Sequence, residues 1–331
     1  MEPPVVATKS IDKALVLRGL FPATVTPCTE TLAVDTVALE SHLREMAATD
    51  GVAGIVVNSG IGELFQLTAD ECDDIISLAL RVRRADQLVI AGIDGRSAAE
   101  YIACGLRARA AGADGLLVLP PFDKRPYRRL AAHLPTVTRF FAELDRAIDL
   151  PMVIFQYPPN SGCAYPVEVL SALAALKNVV AVKVATMGDV GAYAEVWDAL
   201  KDRLSVLVGV DSPPLIDMLR HGAHGALIGI GAILPRIWAD LLRLVNEGDR
   251  RAADALYNKV CKPLMASVFE NQKPTRLVAE SAATKEALVQ LGRIPSARVR
   301  PLALDVDEAT RSTIRTSLIA AGLVKAVAPS A

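Results

Sequence analysis

Eight short, nearly continuous apolar runs, each followed by a longer amphipathic stretch, constrain this chain more than any other feature. They are GLFPATVTP (19–27), GIVVNS (54–59), LVIAG (88–92), GLLVLP (115–120), MVIFQ (152–156), VVAVKV (179–184), SVLVG (205–209) and GALIGI (225–230). A strand that is apolar along its whole length has both faces covered, as in a parallel sheet flanked by helices. The runs recur mostly every 25 to 35 residues or so, about the length of a strand, a helix and two turns.

Local signals place helices in the gaps. Thr68 with Glu71 and Ser97 with Glu100 have capping-box spacing. Pro166 suits a first helical turn, and Ser212-Pro213 opens another candidate. AGADG (111–115) and HGAHG (221–225) read as helix stop, tight loop and strand start. Eight such units in about 230 residues predict an α/β fold, a closed (β/α)8 barrel over 17–246, behind an N-terminal tail over 1–16. A doubly wound open sheet would usually bring a glycine-rich dinucleotide turn. The nearest candidate, GIGAIL (229–234), has Leu where the third glycine belongs. Beyond 246 no strand pattern remains. Residues 248–270, 281–292 and 307–323 are helical by period, so 247–331 is read as a C-terminal three-helix extension.

The net charge of −1 offers no footprint for nucleic acid or an anionic membrane. The basic run Arg81-Val82-Arg83-Arg84 reads as a solvated helix end balanced by nearby aspartates. Five scattered cysteines without a C-x-x-C pattern point to a reducing compartment. Neither a signal peptide nor an apolar run of membrane-spanning length is evident, so a cytoplasmic protein is expected.

Active groups of a barrel project from the C-terminal ends of its strands. That filter selects Asn58, Ser59 and Glu63; Phe122, Asp123 and Lys124; Gln156, Tyr157 and Asn160; Lys183; and Asp211. Lys183 is the sharpest candidate. An apolar strand disfavours its charge and lowers its pKa, and a neutral amine attacks ketones to give a Schiff base. A strand-end lysine that meets solvent or an acid is the other reading. NSGIGE (58–63) is a glycine-containing turn whose free N–H groups could bind a small carboxylate beside the Ser59 hydroxyl, or it is an ordinary loop. His221 and His224 read as a polar helix end. No serine elbow, phosphate loop or zinc motif is present, and no cofactor is expected.

SGIGELFQLTADE, AGADGLLVLPPF, NVVAVKVAT and TKEALVQLGRIPSARVRPL, in that order, resemble the pyruvate-dependent class I aldolases typified by dihydrodipicolinate synthase and N-acetylneuraminate lyase. The likeness runs from about Gly19 to Leu323 and implies that Lys183 is the Schiff-base lysine. It also implies departures at the site. The family's proton-relaying tyrosine falls on Phe155, and the arginine that holds the distal carboxylate of the synthase's substrate falls on Asn160. The tyrosine shared with a neighbouring subunit falls on Phe122, and the two threonines of the carboxylate loop fall on Gly60 and Ile61. Asparagine cannot form arginine's bidentate pair with a carboxylate, and phenylalanine carries no proton.

The expected function is therefore a Schiff-base-forming lyase, an aldolase or dehydratase acting on pyruvate or a related 2-oxo acid, with dihydrodipicolinate synthesis itself not expected. Lys183 is the nucleophile. Tyr157, two positions after Phe155 and facing the same side of an extended chain, or an ordered water, is read as the replacement acid/base. The alternative is that Tyr157 only caps the barrel. Ser59, Gly60, Ile61, Phe122, Phe155, Asn160 and Leu227 form the expected substrate-binding set. The rival class is a barrel that keeps Lys183 but only binds a 2-oxo acid, as a regulatory or binding protein. Assembly as a homotetramer or homodimer is implied by the resemblance alone.

Overall fold

The computed structural model describes residues 17–121, 127–269 and 276–325. The strands are β1 (Gly19–Pro22), β2 (Gly54–Val57), β3 (Leu88–Ile93), β4 (Gly115–Val118), β5 (Met152–Gln156), β6 (Val179–Val184), β7 (Ser205–Val208) and β8 (Gly225–Ile228). All pair in parallel, in the order β1-β8-β7-β6-β5-β4-β3-β2. The remaining seam is closed by parallel bridges Leu20–Val52 and Ala23–Val56 and by Ala53 N donating to Leu20 O at 2.9 Å. The sheet is thus a barrel, as the spacing predicts. The outer ring is α1 (Thr36–Ala48), α2 (Ala69–Val82), α3 (Ala98–Ala110), α4 (Leu134–Ile148), α5 (Val167–Leu173), α6 (Val190–Leu200), α7 (Leu215–His221) and α8 (Pro235–Asn246).

The caps follow their sequence signals with small corrections. Thr68 and Glu71 form a complete capping box. At α3 only half forms: Ser97 Oγ accepts from Glu100 N, but the Glu100 carboxylate accepts from Arg96 N instead. Pro166 sits just outside α5 as its N-cap, and α7 starts at Leu215, later than Ser212-Pro213 suggests. Most strands are shorter at their C-terminal ends than their apolar runs, β1 stopping at Pro22 and β2 at Val57. After β1 the pairing runs on irregularly through the Ala23–Val56 bridge and Thr24 N donating to Val56 O at 2.9 Å, and the other surplus residues turn across the mouth of the barrel.

The basic run is not simply solvated. Arg83 pairs with Asp114, which also accepts from Val89 N. Arg84 donates to the carbonyls of Thr49 and Val52. These arginines stitch the N-terminal end of the barrel, where free strand carbonyls and loop ends need donors. His224 Nδ1 likewise accepts from Val206 N, so it belongs to the strand ends, while His221 lies in the last turn of α7.

The C-terminal region holds α9 (Arg250–Leu256), α10 (Lys262–Val268), α11 (Arg276–Gln290) and α12 (Glu308–Ala320). A π-helical turn, Tyr257–Cys261, joins α9 to α10 and makes one long helix of them. The Tyr257 hydroxyl donates from this turn to the Pro213 carbonyl after β7. Residues 281–288 of α11 are buried on every side, so this helix is sandwiched rather than laid on the surface.

His42 on α1 is 2% exposed, and neither ring nitrogen has a hydrogen-bond partner among the described residues. Burial, with a smaller push from Arg293, lowers its pKa from 6.5 to about 4. The unfolded chain therefore takes up a proton first as pH falls, and stability is lost between pH 6.5 and 4. His42→Leu is expected to remove roughly 3 kcal/mol of that acid sensitivity. Urea midpoints measured from pH 7 to pH 4 would show it, and an unaltered acid slope would refute it.

Candidate active site

Side chains alternate in and out along each strand. Val56, Ile90, Leu117, Val153, Leu207 and Leu227 fill the interior. Two residues further along each of these segments come Asn58, Gly92, Leu119, Phe155, Gly209 and Gly229, and Lys183 stands two after Ala181 on β6. The layer below the mouth is thus bulky, and the mouth layer contains three glycines. The glycines let neighbouring groups close in: the Asn58 backbone at Gly92, the Lys183 stem at Gly209 and the Ile61 side chain at Gly229.

Lys183 is 7% exposed and is paired in register with Phe155 on β5. Its Nζ lies 3.9 Å from the centroid of the Phe155 ring. Burial lowers its pKa from 10.5 to about 8, against an upward pull from Asp211 and Glu280. A Cβ at Gly209 would lie 2.5 Å from Lys183 Cγ, so the lysine stem occupies the space that this glycine leaves. Asp211 accepts from the backbone N–H groups of Gly229 and Ile230, at 3.3 and 2.7 Å, and pins the turn after β8.

The turn after β2 approaches from the opposite side. Asn58 and Glu63 both adopt the left-handed conformation, φ 53° and 60°. Asn58 is anchored by Nδ2 donating to Cys72 O at 3.0 Å. The Ser59 hydroxyl is buried and makes no hydrogen bond with the described residues. Gly60 is exposed, with open space where a Cβ would stand. The Ile61 side chain reaches across to Gly229, its Cδ1 lying 2.8 Å from the position of a Cβ there. Ser59, Ile61, Gly229 and Asp211 therefore belong to one rim.

The residues after β5 divide. Gln156 faces outward, exchanging two hydrogen bonds of 2.9 Å with the backbone of Tyr165, and has a structural role. Tyr157 packs edge-on against Phe155, with ring centroids 4.7 Å apart; Phe155 packs on the barrel interior and Tyr157 on the layer between barrel and helices. Asn160 is exposed on a short 3-10 turn, Pro159–Ser161. Leu227 is fully buried opposite Phe21, in the layer beneath the mouth. Phe122, Asp123 and Lys124 lie outside the described residues. Glu63 turns away from the rim and pairs with Lys285 of α11.

Sequence reasoning missed the mouth glycines and the partners from the C-terminal region. Gly209 ends the run SVLVG and Gly229 stands inside GALIGI, each directly after the observed end of its strand, which is the only hint they carried. Lys285 and Arg300 lie in the segment that resembles the family's C-terminal signature, but nothing local to them betrays their partners.

The dihydrodipicolinate synthetase family model matches residues 16–321. The 4-hydroxy-tetrahydrodipicolinate synthase of Methylobacterium radiotolerans is 30% identical over 309 residues, covering 93% of this chain and 97% of its own. The enzyme of the same name from Bradyrhizobium diazoefficiens is 28% identical over 307 residues, with the same coverage. Among solved structures, dihydrodipicolinate synthase from Aquifex aeolicus matches with a TM-score of 0.80 and 26% identity, covering 94% of this chain and 100% of that one. The chloride-inhibited synthase of Acinetobacter baumannii, complexed with pyruvate, matches with a TM-score of 0.80 and 25% identity, covering 93% and 99%. The chain belongs to the dihydrodipicolinate synthetase family, and with it to the class I aldolase-type lyases.

Proposed function

We propose that Lys183 condenses with pyruvate or a closely related 2-oxo acid to form an iminium, through which a bond at the neighbouring carbon is made or broken. The observation that carries this reading is the buried Lys183 amine, pKa about 8, at the C-terminal mouth of the barrel against the Phe155 ring. The neutral amine adds to the ketone carbon, and the carbinolamine loses water. The iminium then withdraws electrons as C3 loses its proton, giving an enamine nucleophile. Ser59 and the Gly60 backbone are suited to the substrate carboxylate, since the buried Ser59 hydroxyl lacks a protein partner among the described residues. Tyr157, or a water beside it, serves as the acid/base in place of the hydroxyl that Phe155 lacks, and Phe155 and Ile61 form apolar walls. Phe122, from outside the described residues, completes the set as proposed from the sequence.

The reaction partner carries less negative charge at its distal end than the synthase's substrate. The support is Asn160, exposed and uncharged where the resemblance expects arginine, together with the apolar rim. Assembly as a homodimer or homotetramer is part of the same proposal and rests on the resemblance.

Borohydride reduction in the presence of pyruvate should add one pyruvate-derived mass to the peptide bearing Lys183. Absence of an adduct with any 2-oxo acid sinks the proposal. Trapping without turnover of any aldehyde partner would favour the binding-protein reading, to which Phe155 lends support. Efficient condensation with aspartate semialdehyde would overturn the distal-charge argument. Tyr157→Phe should lower turnover about 100-fold or more with trapping retained, and full turnover in that variant removes Tyr157 from the mechanism.

A further inference from the structure

We propose that Lys285 and Arg300, from the C-terminal region, are positioning residues for the carboxylate-binding turn after β2. This inference rests on the proposed function for its catalytic meaning and on the following geometry for its substance. The turn runs from Ser59 to Leu64 and is closed by two backbone hydrogen bonds, Glu63 N to Gly60 O and Leu64 N to Ser59 O, each 3.1 Å. Its last corner is Glu63, a left-handed residue with a side chain, in a conformation that favours glycine. Something outside the turn must hold that corner.

The holder is a buried clamp. One Glu63 carboxylate oxygen accepts from Lys285 Nζ, and the other accepts from Arg300 N at 3.1 Å. The Lys285 side chain is wholly buried and the Glu63 side chain is 3% exposed. Lys285 Nζ also donates to Arg298 O at 2.8 Å and lies 3.9 Å from the Cys28 sulfur. Its ammonium is therefore satisfied from three directions and has little freedom to leave. Arg300 grips the following 3-10 turn, donating to Gln66 O at 2.8 Å, and reaches Leu32 O at 3.0 Å. Its guanidinium also takes both oxygens of Glu71, the acid of the α2 capping box. A single segment, 285–300, thus fixes both the end of the carboxylate turn and the start of the helix after it.

None of these groups is placed at the mouth, so their effect on chemistry runs through Ser59, Gly60 and Ile61. If the clamp is released, the Gly60 backbone and the Ser59 hydroxyl lose their aim at the substrate carboxylate, while Lys183 on β6 is untouched. The clamp therefore governs affinity for the carboxylate rather than reactivity of the amine.

The test compares pyruvate with methyl pyruvate, which keeps the ketone and lacks the charge, in cyanoborohydride trapping of the full chain. Lys285→Met should raise the half-saturating pyruvate concentration about tenfold or more. It should leave the trapping rate at saturation and the response to methyl pyruvate within about twofold. Arg300→Gln, which leaves no buried lone charge, should act in the same direction and serves if Lys285→Met does not fold. Hydrogen exchange supplies an independent readout: the amides of Glu63 and Leu64 should lose protection in the variants while β6 keeps its own. Unchanged half-saturation together with unchanged protection in a folded variant overturns the inference. A wild-type chain that forms no adduct sinks the Schiff-base proposal instead, and exchange then still decides whether the clamp holds the turn.

Discussion

Lys183→Met is expected to abolish the trapped adduct and, in the same molecule, to stabilise the fold by about 3 kcal/mol at pH 7. Burial brings the amine's pKa down from 10.5 to about 8, with Asp211 and Glu280 opposing the fall. The unfolded chain binds this proton up to about pH 10.5, whereas the folded chain releases it near 8. The penalty is complete below pH 8 and fades as pH rises to 10.5. Methionine keeps a similar apolar stem without the charge. Urea midpoints for the two proteins should therefore differ at pH 7 and converge above pH 10. Equal midpoints at pH 7 would show that the lysine charge is well solvated in the native state, against its 7% exposure. The same shift sets the pH profile of adduct formation. At pH 7 about a tenth of the amine is neutral, against roughly one part in 3,000 for an ordinary lysine. Trapping should quicken about tenfold per pH unit below 8 and level off above it.

Gly92→Ala should be the most damaging small substitution at the mouth. A methyl group there would stand 1.9 Å from Asn58 O and 3.3 Å from Ser59 Cα. These are backbone atoms, so no rotamer change relieves the clash. The strand β3 is held on both sides, by β2 and β4. The turn bearing Ser59 must move, and Asn58 must surrender its bond to Cys72 O. A loss of about 3 kcal/mol and a pyruvate half-saturation raised at least tenfold are expected, by urea titration and by trapping. Gly60→Ala, where a Cβ meets nothing within 4 Å, is the stability control and should stay within about 0.5 kcal/mol of wild type. Comparable losses from both would show that the region is sensitive for some reason other than this contact.

The barrel was legible because its determinants are local. Apolar runs such as MVIFQ and VVAVKV coincide with β5 and β6, and Thr68 with Glu71 announces a cap that forms as read. Strand ends were read too long because periodicity cannot distinguish an apolar residue in a ladder from one in a turn over the mouth, as at Val25 after β1. Lys183 was visible as a lone charge among valines. The depth of its burial was not, because it depends on Phe155 on β5 and on Gly209 just past the end of β7. Arg83 and Arg84 were read as solvated because their acceptors, Asp114 and the carbonyls of Thr49 and Val52, are remote in sequence. The Glu63–Lys285 pair spans 222 residues and could not be inferred from either end. Long-range partners of buried charges are the information that a pattern of neighbours omits.

The glycine ring at the mouth bears on how this protein could acquire a new specificity. Where Gly92, Gly209 and Gly229 stand, the wall is main chain, and any added atom meets Asn58, Lys183 or Ile61. Directed evolution of the described site then has a short alphabet to work with: Ile61, Phe155 and Tyr157 are side chains that can be exchanged without reshaping the backbone. A saturation library at those three codons should return most of the variants with altered partner choice, and one at the glycines should return chiefly unfolded protein.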